Sequence, residues 1–289
     1  MRDKNRPLQA ATINDLSGFG RCSLTVSLPV LSAMGVHLSC IPTAVLSTHT
    51  GGFQGYTFRD LTEDIRPFFR HWAKEGFAFD ALYTGYLGSA EQIDLVKEFI
   101  ETFKTNENFT LVDPVMGDHG KLYSLYTPQM AEGMKQLCAR ADVIVPNMTE
   151  GAHLTGMAFK PHGHSEQYLQ EMCEKLLSMG AKNVVITGAA PEPGHIGAAC
   201  HDGTKMEIYA PARVNAQYDG TGDVFASVLL GALLHEKPLL SAVKMAADFT
   251  RDCIARSLKN NVNPHHGVDF EMGLWQLGKN ILDQGDEEI

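Results

Sequence analysis

Length, composition and charge set the first limits on this chain of 289 residues. It carries 24 basic and 34 acidic residues and a formal net charge of −10. Such a surface argues against nucleic acid or an anionic membrane as a partner. The first residues are not typical of a signal peptide, no apolar run approaches the length of a membrane span, and the six cysteines include no Cys-x-x-Cys pair. We therefore expect a cytoplasmic protein with reduced thiols.

Segments typical of strands and helices alternate along the chain. The predicted strands span 10–14, 37–45, 80–84, 109–113, 142–146 and 183–187, followed by a hairpin of 196–201 with 205–210. The predicted helices span 24–34, 60–74, 91–104, 128–139, 166–179, 221–235 and 239–258. This alternation predicts an α/β fold, with a central mostly parallel sheet flanked by helices on both faces. Because no linker or repeat divides the chain, we expect a single domain over 1–289 with an acidic tail from about 283 to 289.

Polar residues recur where the predicted strands end. Asp113, Asn147, Thr187 and Gly188 lie at or just beyond a strand end, and the loop at 15–20 follows the first strand. In a parallel sheet, ligands bind beyond the carboxyl ends of the strands. Helix caps and turns favour the same residue types, so any one position alone favours a structural role. Their recurrence at one edge of the sheet predicts a binding site there.

The segment 219–223 reads Asp-Gly-Thr-Gly-Asp and directly precedes a run of apolar helical residues. A helix N-terminus presents unpaired backbone N–H groups, and Gly220, Thr221 and Gly222 would let an anion such as phosphate approach them closely. A carboxylate beside an anion site, here Asp223, is suited to take a proton. An ordinary helix cap is the alternative on local sequence alone. Together the turn and the acid indicate phosphoryl transfer to a hydroxyl group.

Two further segments carry acids that suit a cation and a nucleotide. Asp113 and Asp118 flank an apolar turn after a buried strand. There Asp113 would help to organise a cation, and Asp118 would face a nucleotide phosphate. Asn147 and Glu150 stand three residues apart where a strand meets a helix, a spacing that suits hydrated Mg²⁺. The same spacing is that of a capping box, and turn caps would equally explain the first pair of acids.

Other segments suit a small polar substrate. The loop at 47–52 is rich in hydroxyl groups and contains His49, and Tyr86 follows another strand, where its flat ring could stack on a ligand. A surface turn and ordinary packing are the alternatives. Two further pairs of histidines are His162 with His164 and His265 with His266. Because no additional ligands stand at a spacing that suits zinc, we expect these four side chains to lie in solvent.

Taken in order, these segments resemble the ribokinase-like superfamily and, within it, the pyridoxal (vitamin B6) kinases. The resemblance rests on five motifs, which are STHTG at 47–51, TGYLGS at 84–89, DPVMGD at 113–118, Asn147 with Glu150, and GTGD at 220–223. They follow the order of the family over nearly the whole chain, from about residue 10 to residue 258. One such motif would be weak evidence, whereas five in the same order identify the superfamily and favour its pyridoxal kinases.

The resemblance implies ATP-dependent phosphorylation of the 5′-hydroxymethyl group of pyridoxal, pyridoxine or pyridoxamine. It implies ATP and Mg²⁺ as cofactors, often K⁺ as well, and a homodimer. With the polar residues at the strand ends, the predicted site consists of the base Asp223, the γ-phosphate turn Gly220, Thr221 and Gly222, the metal ligands Glu150 and Asp113, the nucleotide contacts Asp118, Asn147, Thr187 and Gly188, and the substrate contacts Asp15, Ser47, Thr50 and Tyr86.

Asp15 departs from the pyridoxal kinase pattern, which usually has serine there. The loop that it opens is more similar to that of the hydroxymethylpyrimidine kinases of thiamine synthesis. An aspartate accepts a hydrogen bond from a ring N–H or an exocyclic amine, so the aminopyrimidine, pyridoxamine and pyridoxine all remain open as substrates. Gly52, where the family often has tyrosine, predicts a more open pocket rim. A non-catalytic ligand-binding protein on the same fold is the alternative from another functional class.

Overall fold

A nine-stranded sheet forms the centre of the residues that the computed structural model describes, 6–124 and 126–282. The acidic tail expected from about 283 lies outside these residues. Along the chain, the strands are β1 Leu8–Ser17, β2 Val36–Leu46, β3 Phe58–Asp60, β4 Ala81–Thr84, β5 Phe109–Val112, β6 Gly117–Asp118, β7 Lys121–Leu122, β8 Val143–Ile144, β9 Asn183–Ala189, β10 Gly197–His201 and β11 Met206–Tyr209. The main sheet has the order β11-β10-β9-β8-β5-β4-β1-β2-β3, and β6 pairs with β7.

Helices connect most of these strands. They are α1 Leu24–Ala33, α2 Thr62–Lys74, α3 Ala90–Phe103, α4 Pro128–Cys138, α5 Met148–Thr155, α6 Glu166–Ser178, α7 Thr221–Leu234, α8 Leu239–Lys259 and α9 Leu274–Leu282. Two short 3₁₀ helices, Pro264–His266 and Glu271–Gly273, precede α9. Each strand-to-helix connection at the carboxyl edge of the sheet leaves a loop there, which is the edge where the sequence predicts a site.

The central strands run parallel, and helices cover both faces of the sheet. The strands from β9 through β8, β5, β4 and β1 to β2 are all parallel neighbours. β10 and β11 form the predicted antiparallel hairpin at one edge, and the short β3 is antiparallel to β2 at the other. The prediction of a mostly parallel sheet between helices is therefore confirmed.

Alternate residues of each strand enter two separate hydrophobic cores. On β4, Leu82 belongs to the core beneath α2 to α6, whereas Ala81 and Tyr83 belong to the core beneath α1, α7, α8 and α9. Successive side chains of a strand point to opposite faces, and both faces here are buried. α7 contributes ten buried residues, so the turn that the sequence predicts to bind phosphate, directly before it, stands on a rigid element.

Several elements differ from the sequence-based expectations. The helix expected from residue 60 begins at Thr62, because Asp60 ends β3 and its carboxylate accepts a hydrogen bond from the backbone of Thr62 at 2.7 Å. The strand expected at 142–146 is reduced to the two residues of β8, although pairing resumes at a bridge between Asn147 and Thr187. The short β3, the β6–β7 hairpin and α9 were not predicted, and none of the three shows a long periodic pattern.

The described residues also bear on the expectations about membrane spans and cysteines. No helix among residues 6–124 and 126–282 is long and apolar enough to cross a membrane. All six cysteines are free thiols, and five of them are buried. Burial raises the pKa of Cys40 and Cys173 to about 12, so these thiols remain protonated at neutral pH.

Candidate active site

The turn that precedes α7 has a backbone that only glycine accommodates. Gly220 has φ of 75° and caps the helix, and a Cβ at that position would lie 1.8 Å from the carbonyl oxygen of Arg21. The first backbone N–H groups of a helix have no partner within it. Those of Thr221, Gly222 and Asp223 are therefore available to an anion, and the positive end of the helix dipole adds to their attraction.

A cavity of about 780 Å³ lies against this turn, a volume ordinary for a small-molecule site. It brings together eleven of the fourteen site residues that the sequence predicts, namely Tyr86, Asp113, Asp118, Asn147, Glu150, Thr187, Gly188, Gly220, Thr221, Gly222 and Asp223. Asp15, Ser47 and Thr50 do not line it. Eleven predicted residues therefore share one cavity, and of the four predicted substrate contacts only Tyr86 lines it.

Asp15 is buried behind the cavity wall, and Ser23 stands between it and the cavity. The carboxylate of Asp15 accepts hydrogen bonds from the hydroxyl groups of Ser17 at 3.0 Å and Ser23 at 2.5 Å. Burial raises the pKa of Asp15, and the two serine hydroxyls oppose this rise. Because Ser23 lines the cavity, Asp15 can act on a bound ring through this serine.

Ser23 is a site residue that the sequence reasoning missed. Its backbone has φ of 53°, which is uncommon outside glycine, and its N–H donates a hydrogen bond to the carboxylate of Asp223. The hydroxyl group of the same residue reaches Asp15. A serine one residue before an apolar helix is a common cap signal, so nothing in the sequence separated this residue from an ordinary helix start.

Ser47 and Thr50 are exposed on the loop between β2 and β3. The hydroxyl oxygen of Ser47 accepts a hydrogen bond from the backbone N–H of Thr57 at 2.9 Å. In the described conformation, the side chain of Ser47 therefore holds its own loop together. A role for these two residues in binding substrate requires the loop to turn toward the cavity.

Asp223 lies at the cavity wall while most of its surroundings are protein. Burial raises the pKa of Asp223 to about 7, the hydrogen bond from Ser23 opposes this rise, and the negative charge of Asp15 adds to it. A general base is most effective when its pKa is close to the working pH. The site thus places a carboxyl group of suitable pKa next to a turn whose backbone N–H groups suit an anion.

Glu150 forms the capping box that the sequence offered as an alternative. Its two carboxylate oxygens accept hydrogen bonds from the backbone N–H groups of Met116 at 2.9 Å and Asn147 at 2.8 Å. The side chain of Asn147 in turn accepts from the backbone of Thr149 and Glu150 at the start of α5. Glu150 therefore fixes the loop after β5 against the N-terminus of α5, whatever else it binds.

Asp113 and Glu150 form a buried acidic pair. Burial raises the pKa of Asp113 well above its usual value, and the charges of Glu150 and Asp223 raise it further. Burial also raises the pKa of Glu150, against its backbone hydrogen bonds. The charges that raise these two pKa values are those of neighbouring carboxylates, so a cation bound here would relieve the repulsion between them.

The donor set fits a hydrated Mg²⁺ better than a metal held by protein alone. Among residues 6–124 and 126–282, no three side chains of His, Cys, Asp or Glu converge as a ready metal site. Mg²⁺ commonly keeps several waters and takes one or two carboxylates together with substrate phosphates. Asp113 and Glu150, which line the cavity beside the phosphate turn, suit that arrangement.

The wall predicted to bind the nucleotide, here called the nucleotide wall, combines the strand β9, the β6–β7 hairpin and the helix α8. Thr187 and Gly188 lie on β9, and the backbone N–H of Thr187 donates to the carbonyl of Pro146 at 2.9 Å. Asp118 ends β6 with an exposed carboxylate. Farther along, the cavity is lined by the aliphatic side chains of Ala247 and Ile254 and by Thr250, whose buried hydroxyl has no hydrogen-bond partner among the described residues.

The expectation that the paired histidines lie in solvent was wrong for His164. His164 is buried rather than exposed, because its ring accepts a hydrogen bond from the backbone of Ala190 and bonds to the carbonyl of Lys160. His265 is exposed as expected, although it also lines the cavity and its Nδ1 lies 2.9 Å from a carboxylate oxygen of Asp219. A hydrophilic loop does not by itself show where its side chains lie, so composition was a poor guide here.

The expected open rim at Gly52 is also corrected. A Cβ at this position would lie 2.2 Å from the imidazole of His265, so that ring fills the space a side chain at 52 would take. The sequence places the two residues more than two hundred positions apart. Only the fold brings them together.

Comparisons with known proteins show the family of the chain. The sequence profile of the phosphomethylpyrimidine kinase family matches residues 26–268. The hydroxymethylpyrimidine/phosphomethylpyrimidine kinase of Bacillus subtilis is 28% identical over 90% of this chain and 93% of that protein. The crystal structure of the pyridoxal kinase of Lactobacillus plantarum is 31% identical, with a TM-score of 0.85, and the match covers 98% of this chain and 99% of that one.

The chain belongs to this family of pyridoxal and phosphomethylpyrimidine kinases. The resemblance to the pyridoxal kinases of the ribokinase-like superfamily is thereby confirmed, and the chain is a phosphotransferase that acts on an alcohol group. A Bacteroides thetaiotaomicron protein, described as a candidate phosphomethylpyrimidine kinase, was crystallised in an orthorhombic form with pyridoxal. It is 34% identical to this chain, with a TM-score of 0.80 and 96% of each chain covered.

The buried acid Asp113 yields a test of the electrostatics of this kinase site. Since its pKa is raised in the folded state, the folded protein binds a proton that the unfolded chain releases. Stability is therefore lost as the pH rises above the unfolded pKa of about 4. We expect Asp113→Asn to remove this loss and to raise Tm at pH 8 by about 2–4 °C, but to change it little at pH 4.5.

Differential scanning calorimetry at the two pH values measures this effect. Asp64→Asn, at an exposed acid on α2, is the matched control and should show no gain that depends on pH. A lower Tm for Asp113→Asn at pH 8 would show that the carboxylate of Asp113 stabilises the fold and would contradict this account.

Proposed function

We propose that the protein transfers the γ-phosphoryl group of ATP to the 5′-hydroxymethyl group of a vitamin B6 vitamer. The observation that carries the proposal is the position of Asp223, a base with a pKa of about 7, in the first turn of a helix whose amides face the same cavity as Tyr86. The Lactobacillus plantarum and Bacteroides thetaiotaomicron relatives support a B6 vitamer as the acceptor.

The proposed reaction is an in-line displacement. Asp223 accepts the proton of the acceptor hydroxyl as its oxygen attacks the γ-phosphorus, and ADP leaves. The backbone N–H groups of Thr221, Gly222 and Asp223 hold the transferring group and stabilise its negative charge. Mg²⁺, bound with the nucleotide near Asp113 and Glu150, would neutralise phosphate charge. Holding both reactants in one cavity supplies the remaining part of the rate enhancement.

The two ends of the cavity suit the two substrates. Toward Ser23, the ring of Tyr86 offers a flat face to a pyridine, and Asp15 polarises the hydroxyl of Ser23 from behind. We assign Ser47 and Thr50 to this end once their loop turns inward. At the other end, Asp118, Asn147, Thr187 and Gly188 face the nucleotide phosphates. The aliphatic wall near Ala247 and Ile254, with the unpaired hydroxyl of Thr250, suits the adenine ring.

Hydroxymethylpyrimidine is the second candidate acceptor. Asp15 and the matching family profile favour it, and the five motifs of the pyridoxal kinases favour a B6 vitamer. Both acceptors carry a hydroxymethyl group on a flat nitrogen heterocycle, so the same base and the same phosphate turn would serve either. We also infer a homodimer in the cytoplasm and activation by K⁺, for which the resemblance to the family is the support.

The proposed function is tested by ADP release from the purified protein with ATP, Mg²⁺ and K⁺. Pyridoxal, pyridoxine, pyridoxamine and hydroxymethylpyrimidine are supplied separately. We expect turnover with at least one B6 vitamer, and a loss of about 10²–10⁴-fold in kcat for Asp223→Asn, because the amide cannot take the proton. The Kd for ADP, measured by calorimetry, should change by less than about twofold, since this substitution leaves the nucleotide wall intact.

Each outcome decides between the candidates. Turnover with hydroxymethylpyrimidine alone would show that the second candidate is correct. Turnover that survives in Asp223→Asn would remove this residue from the mechanism, and no turnover with any of the four acceptors would contradict the proposed function.

A further inference from the structure

A series of hydrogen bonds begins in the loop at 47–52 and leads away from it through two histidines. The backbone N–H of Gly51 donates to Nδ1 of His49 at 3.1 Å. The other ring nitrogen of His49, Nε2, donates to the carbonyl oxygen of His265 at 2.6 Å. His49 is buried, so this contact replaces water that the ring would otherwise need. The loop is thereby tied to the 3₁₀ helix Pro264–His266.

The same short helix is tied to the residue just before the phosphate turn. Nδ1 of His265 lies 2.9 Å from a carboxylate oxygen of Asp219. The backbone N–H of Asp219 donates to the carbonyl oxygen of Pro264 at 3.1 Å. Because Asp219 immediately precedes Gly220, its position sets where the phosphate turn begins. The partners also require His49 to be protonated on Nε2 and His265 on Nδ1.

Glycines make room for both imidazole rings. A Cβ at Gly20 would lie 2.3 Å from the ring of His49, and a Cβ at Gly52 would lie 2.2 Å from the ring of His265. Either side chain would displace a histidine and break the series. Gly20 thus leaves the space that the ring of His49 occupies, and Gly52 leaves the space that the ring of His265 occupies.

Phe53 packs against the same histidines. Its ring centroid lies 5.0 Å from that of His49 in an edge-to-face arrangement and 6.3 Å from that of His265. His266 lies 6.4 Å from Phe53 in a stacked arrangement and 4.9 Å from Phe19. Such contacts fix the planes of the rings and hence the directions of their hydrogen bonds.

We propose that His49 and His265 are positioning residues that set the phosphate turn through Asp219, so that the geometry of this turn depends on the loop that carries Ser47 and Thr50. The inference rests on the proposed phosphoryl transfer, and it assigns to the two histidines no contact with the reacting atoms. Movement of the loop onto an acceptor is passed to Asp219 and then to the amides that hold the phosphoryl group.

Substitutions at His265 distinguish the contributions of its two ring nitrogens. In His265→Asn the side-chain amide lies near the place of Nδ1 and can still donate to Asp219, whereas in His265→Gln it lies nearer the place of Nε2. We expect His265→Gln to lower kcat about 10–100-fold, because small misplacements of reacting groups have effects of this size. His265→Asn should recover most of the loss. Asp219→Ala should match His265→Gln, and the double variant should lose no more.

A loss in kcat without a change in the KM for ATP or the Kd for ADP would exclude a merely structural role for His265. The Kd for ADP and the KM for ATP should stay within about twofold, since the nucleotide wall is not touched. His71→Gln, at an exposed histidine on α2, is the matched control and should equal the wild type. Equal losses in His265→Asn and His265→Gln, or additive losses in the double variant, would overturn the proposal.

A second readout does not depend on the acceptor. Without substrate, we expect hydrogen exchange in the peptide 217–226 to be about tenfold faster in His265→Gln and His49→Ala than in the wild type, because the hydrogen bond of Asp219 to Pro264 opens more often. Unchanged exchange would overturn the proposal. If the wild type phosphorylates no acceptor, the proposed function fails, and this measurement decides the positioning role by itself.

Discussion

Buried negative charge is the constraint on which the site depends. Asp113, Glu150 and Asp223 share the carboxyl edge of the sheet, where burial raises the pKa of each and the negative charge of neighbouring acids adds to the rise. Isolated buried carboxylates are costly. Three such carboxyl groups in one cavity favour the binding of a cation or of a proton. Phosphoryl transfer supplies both, since a divalent cation accompanies the nucleotide and a proton leaves the acceptor hydroxyl.

The fold holds these acids in place with apolar elements. α7, with ten buried residues from Val224 to Leu234, lies between α1 and α8 on one face of the sheet, so the body of this helix is anchored in that core. The left-handed backbone at Gly220 lets the chain pass within van der Waals distance of Arg21. Glu150 joins the loop after β5 to the start of α5 by two backbone hydrogen bonds. The anion site and the acids are therefore parts of rigid elements, as preorganised catalysis requires.

The sequence predicted the parts of the site that local patterns define. Glycines before an apolar helix, acids after a strand and the capping spacing of Asn147 with Glu150 each have a local physical cause. Contacts over long sequence separations left no such signal. Ser23 looked like a simple cap, Gly52 looked like an open rim, and no local pattern placed the exposed His265 beside Asp219. The contacts of Ser23 with Asp15 and Asp223 depend on the fold. Those of Gly52 and His265 arise because the segment at 263–267 folds back onto the loop at 47–52, which no periodicity reveals.

The central claim is that burial poises Asp223 as the base of a phosphotransferase. The most direct measurement is the dependence of kcat/KM for the acceptor on pH between 5 and 9. A base must be deprotonated to act, so the account predicts that kcat/KM rises with pH and levels off above an apparent pKa near 7. A profile that stays flat down to pH 5 would contradict it, because an unburied carboxylate would already be deprotonated there.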